Sequence, residues 1–101
     1  MSLVIMGDIR IKPEGRDALI AAGAKMMAAS NAEDGCHRYN FAFDLAEPDL
    51  VRISEEWESE EALAAHFATP HMAEFQAALR GVVAGPAAVN KYEVASKGPV
   101  R

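Results

Sequence analysis

Hydrophobic positions alternate along the first stretch of the chain, with Leu3, Ile5, Ile9 and Ile11 on one side and Val4, Met6, Asp8 and Arg10 on the other. Period two with β-branched residues predicts a strand over residues 3–12, apolar on both faces for part of its length. A sheet covered on both sides is therefore expected. Pro13-Glu14-Gly15 breaks the strand, and Leu19, Ala22, Gly23, Met26, Met27 and Ser30 then recur at helical spacing. With proline and glutamate before it and Gly35 beyond it, this run predicts a helix over 16–32.

Alternation returns at residues 36–44. His37, Tyr39, Phe41 and Phe43 form an aromatic row, opposite Cys36, Arg38, Asn40 and Ala42. A turn with Pro48 leads into 50–58, where Val51, Ile53 and Trp57 mark another strand, so the two pair as a hairpin. Ser59 can cap a helix whose first turn carries Glu60 and Glu61, where the helix dipole favours negative charge. That helix presents Leu63, Ala64 and Phe67 and stops near Ala68. Thr69-Pro70 is a second cap with proline at the first helical position, opening a segment over 70–80 through Met72, Phe75 and Leu79. A last strand over 88–95 and a frayed tail over 96–101 complete the chain.

The order strand, helix, strand, strand, helix, strand predicts an α+β domain of the split-βαβ, ferredoxin-like type: an antiparallel sheet with its helices on one face. The other face is left bare. At 101 residues the chain suits one domain with a modest core, and half its residues are hydrophobic, a large share for a small monomer. A homodimer interface would cover the excess.

Charge narrows the partners. The net charge is -5 and no cluster of lysine or arginine occurs, which argues against nucleic acid and anionic membranes. No apolar run reaches spanning length and no leader pattern opens the chain, so a cytoplasmic protein is expected. The single cysteine, Cys36, has no internal disulfide partner, in keeping with a reducing compartment. Neighbours on a strand point to opposite faces, so Cys36 and His37 are not expected to act as a thiol–imidazole pair.

Candidate chemistry concentrates between Glu55 and Phe75. His66 and His71 are five residues apart, which on a continuous helix sets them about 140° from each other, and no third ligand stands nearby in sequence. Metal binding by the pair is not expected. His66 reads as a pocket base or as a histidine capping a helix end; His71 reads as a partly exposed, locally bonded residue or as a helper. Trp57 is core or the wall of an aromatic-ligand pocket. The aromatic row is core, interface or site, and alternation does not say which face it occupies. Asp8, a carboxylate in an apolar strand, is either paired with Arg10 or Arg38 or a general base of raised pKa. Phosphate loop, dinucleotide fingerprint and nucleophile elbow are all absent.

Three segments carry a family resemblance: Glu33-Asp34-Gly35-Cys36-His37-Arg38-Tyr39, Ile53-Ser54-Glu55-Glu56-Trp57-Glu58-Ser59, and Leu63-Ala64-Ala65-His66-Phe67-Ala68-Thr69-Pro70-His71-Met72. Together they resemble the antibiotic biosynthesis monooxygenase family, in particular its small bacterial quinol monooxygenases. The resemblance implies a dimeric ferredoxin-like α/β barrel with a pocket between sheet and helices. It also implies oxygenation of quinols or polycyclic phenols by dioxygen without flavin, heme or metal. Trp57 matches a family tryptophan near the substrate. His66 stands where heme-degrading relatives place an aromatic residue, whereas Gln76 replaces their heme-ligating histidine and Asp8 their asparagine. Leu63 falls where polyketide-oxidising relatives use a tyrosine.

The expectation is thus a cofactor-independent monooxygenase of a small quinol-like aromatic. His66 would be the base, His71 and Asp8 helpers, and Trp57, Tyr39, Phe67 and Phe75 the substrate-binding wall. A non-catalytic dimeric module binding a small hydrophobic metabolite and an isomerase of small carbonyl compounds are the alternatives.

Overall fold

The computed structural model describes residues 2–101; Met1, the first residue of the expected domain, lies outside the described residues. Four strands, β1 (Leu3–Arg10), β2 (Cys36–Phe43), β3 (Leu50–Trp57) and β4 (Ala88–Glu93), form one sheet in the order β2-β3-β1-β4. Every neighbouring pair is antiparallel. Three helices accompany it: α1 (Arg16–Asn31), entered through a 3₁₀ turn at Pro13–Gly15, then α2 (Glu60–Phe67) and α3 (Pro70–Leu79). This is the ferredoxin-like α+β arrangement. The sheet of one chain is open, ending at β2 and β4, so the expected barrel, a feature of two chains, is not closed by one.

Pleat alternation sorts the residues as the pattern requires. Leu3, Ile5 and Ile9 of β1 and Val51, Ile53 and Trp57 of β3 are buried on one face. Leu19 and Met26 of α1, Leu63 of α2 and Phe75 of α3 close the same core. Burying one such large side chain contributes about 1.5–3 kcal/mol, so this layer holds the sheet to its helices. The opposite face has no helix over it: Met6 is 48% exposed and Tyr92 of β4 is 46% exposed. The expected covering of both faces is therefore not met within one chain.

The aromatic row proves to be inward, with one exception. Tyr39 lies opposite Glu55 and Phe41 opposite Ile53, on the helix side, and Phe41 stacks on Phe75 with ring centroids 5.2 Å apart. His37 is not part of the row. A bulge shifts the β2–β3 register between Cys36 and Arg38, so two residues of β2 face one of β3. Cys36 thereby joins the core face in place of His37, which is exposed. Among the described residues no helix is long and apolar enough to cross a membrane.

Candidate active site

Between α2 and the helix-facing side of β1, β3 and β4 lies a cavity of about 400 Å³. Ile5, Leu63, Met72 and Val89 give it apolar walls; Tyr39, Glu55 and His66 supply polar groups. A mostly apolar concavity of this size with a few convergent polar atoms suits a small organic ligand.

Local signals put His66 on this wall. The Ser59 hydroxyl accepts the Ala62 amide at 3.1 Å and starts α2. Two turns later the helix ends, and Thr69 makes the corner: its hydroxyl donates to the His66 carbonyl at 2.8 Å and accepts the Met72 amide at 3.2 Å. Pro70 then opens α3, its missing N–H harmless at a first-turn position. His66 ends 1% exposed, with its ring 4.6 Å from the Trp57 ring and 5.3 Å from that of Tyr39.

An acidic partner for both His66 and His71 comes from a distant part of the chain. The turn after α1 needs Gly35 at φ +80°, and a Cβ there would stand 2.7 Å from Ala62 Cβ. So close an approach seats the turn against the start of α2 and delivers Glu33. Glu33 Oε2 lies 2.7 Å from His66 Nδ1 and 2.7 Å from His71 Nε2. The premise that the two histidines cannot converge is thus overturned, because the Thr69-Pro70 corner replaces the continuous helix on which the 140° separation rests. His71 is half-buried and its bond to Glu33 is long-range, not local.

Trp57 is 0% exposed and lies behind the wall, not on the cavity surface. Its indole N–H donates to Glu55 Oε1 at 2.9 Å. Burial pushes the Glu55 carboxyl up; the Trp57 hydrogen bond and His66 act the other way, and Glu33 adds to the rise. Tyr39 is also driven upward, first by burial and then by Glu55, so its phenol keeps its proton. Asn31 clamps it, giving an amide N–H to the Tyr39 carbonyl at 2.9 Å and accepting the Tyr39 amide at 3.1 Å.

Three expected site residues fall elsewhere or at the edge. Phe67 lines the cavity but is 59% exposed, a rim residue. Phe75 packs in the core and borders a separate cavity of about 120 Å³ between α1 and α3. Asp8 is on the uncovered face, where strand parity puts it. It pairs with Arg52 at 2.7 Å, not with Arg10 or Arg38, which engage Glu47 and Ser54. It cannot assist His66 through the sheet. Glu33 and Glu55 escaped the sequence reading; for Glu55 the signal was its parity with Val51, Ile53 and Trp57, whereas nothing local marks Glu33.

Fold and site together define a ferredoxin-like α+β domain with a ligand-sized pocket on the helix side of its sheet. Residues 2–78 match the family model for antibiotic biosynthesis monooxygenase, and the chain belongs to that family. It is 33% identical over 91 residues to the "Probable quinol monooxygenase YgiN" of Escherichia coli, with 80% of this chain and 88% of that protein covered. It is 32% identical over 93 residues to the uncharacterized protein sll1783 of Synechocystis, covering 92% of this chain but spanning 63% of that protein's length. The structure of Rv0793 from Mycobacterium tuberculosis superposes with a TM-score of 0.89 over 98% of this chain and 100% of that one. At 23% identity that likeness shows the fold alone.

Proposed function

We propose that the protein is a cofactor-independent monooxygenase of small quinol-like aromatics, acting as a cytoplasmic homodimer with dioxygen as co-substrate. The carrying observation is His66 on the wall of a mainly apolar cavity, paired through Nδ1 with Glu33, which does not itself line the cavity. When the Glu33 carboxylate accepts from Nδ1–H, the neutral imidazole carries its lone pair on Nε2 and can take a phenolic proton. The resulting quinolate is electron-rich enough to reduce dioxygen directly. Quinol plus O₂ gives a hydroxyquinone plus water: one oxygen atom replaces a ring hydrogen, the other leaves as water, and the four electrons come from the substrate.

The remaining groups have roles that follow from position. Tyr39, kept protonated by burial, can donate to a substrate oxygen, and Leu63, Ile5 and Met72 exclude water from the anion and reduced oxygen. Glu33 holds the tautomer and orientation of His66, as a carboxylate does for a catalytic imidazole. Family membership and the name of the Escherichia coli relative support the choice of reaction.

Oxygen uptake with a reduced naphthoquinol tests the reading. The expected result is uptake above autoxidation that falls at least about tenfold in His66→Ala, a conservative threshold for a general base, whose contribution is typically about 100-fold or more. Uptake indistinguishable from a buffer blank, with saturable stabilisation by the same quinol, would instead leave a binding module.

A further inference from the structure

Glu33, His66 and His71 reach one point from three separate elements, and their ligand atoms all lie within 4.8 Å of one another. Both ring nitrogens stand 2.7 Å from the same carboxylate oxygen. We infer that these side chains form a site for a divalent transition-metal ion of the zinc type, bound by His66 Nδ1, His71 Nε2 and the Glu33 carboxylate, with a fourth position left to water.

The donor set selects the ion. Two imidazoles and one carboxylate suit zinc, cobalt or iron and disfavour magnesium and calcium, which ask for shells of oxygen. Zinc bonds of about 2.0–2.2 Å to nitrogen and oxygen put neighbouring donors roughly 3.4 Å apart in a tetrahedron, so the two 2.7 Å contacts to Glu33 must open by roughly 0.7 Å while the two ring nitrogens, within 4.8 Å of each other, draw together. Burial favours the exchange: the side chains are 1%, 14% and 21% exposed for His66, Glu33 and His71, which shields an ion from bulk water on most sides. The frame is stiff as well. Thr69 ties the end of α2 to the start of α3, and Gly35 seats the turn bearing Glu33 on α2. Among the described residues Cys36 is not one of the converging donors, so the site is nitrogen and oxygen in character.

An ion on His66 Nδ1 takes the lone pair there and leaves the ring's proton on Nε2, so a loaded site cannot supply the base of the proposed reaction. Metal binding and that reaction would exclude each other. The site itself rests on geometry alone, and its test needs no turnover.

The test is a zinc titration of the chelator-stripped protein against a chromophoric competitor, with cobalt(II) absorption as the coordination readout. Expected are one ion per chain, tetrahedral cobalt bands, and affinity at least about tenfold weaker in both His71→Ala and Glu33→Gln. His37→Ala, which removes an exposed histidine outside the cluster, should leave affinity unchanged. Metal-free melting temperatures within a few degrees of wild type establish that the variants fold. Folded variants that bind zinc as tightly as wild type, or no binding of one ion per chain to the wild type, would overturn the site.

Discussion

Glu55 offers the clearest test at the scale of a single residue. Its carboxyl is raised above the ordinary carboxylate value, first by burial, so the folded chain holds this proton more tightly than the unfolded chain does. A raised carboxylate makes stability greatest below the ordinary value and lets it fall as pH climbs through the raised one. Glu55→Gln keeps an oxygen for the Trp57 indole and removes the charge. Thermal melts should show the variant gaining over wild type at about pH 7 by more than at about pH 4; an equal difference at both would refute the account. Strand parity alone puts Glu55 with the core, and parity equally puts Asp8 outside it. His66 stood out from its place at a helix end beside Phe67, but the carboxylate that orients it lies 33 positions away in sequence.

At the scale of elements, the two caps are legible because they are local. Ser59 with its acidic first turn and Thr69 with Pro70 each act within three residues, and the structure uses both. The β2 bulge has no comparable marker, since it arises from fitting β2 to β3, and it moves Cys36 to the side that alternation gave to His37. Gly35 joins both kinds of constraint: a positive φ that favours glycine, and Ala62 too near to admit a Cβ. Gly35→Ala should therefore cost about 1–3 kcal/mol in denaturant unfolding, and a loss below about 0.5 kcal/mol would mean the turn can shift away from α2. Such a shift would also carry Glu33 from His66, so quinol turnover, where present, should fall with stability.

At the scale of the whole molecule, the uncovered sheet face and β4 set the next question. All six residues of β4 are exposed, and Val89 and Tyr92 are among them. With Met6 on the same face as Tyr92, a second copy is the economical cover, and light scattering at micromolar concentration should report twice the mass of one chain. A stable monomer would overturn the homodimer.

Element order, helix starts and the two faces of β1 follow from period and capping, which act over a few residues and are written in the chain itself. Tertiary structure alone decided that the aromatic row faces inward, that Asp8 is spent on Arg52, and that Glu33 meets both histidines. Those outcomes depend on register, on the angle between α2 and α3, and on the approach of a turn to a helix. Each is a sum of packing terms across distant segments, and no local spacing in the sequence encodes it.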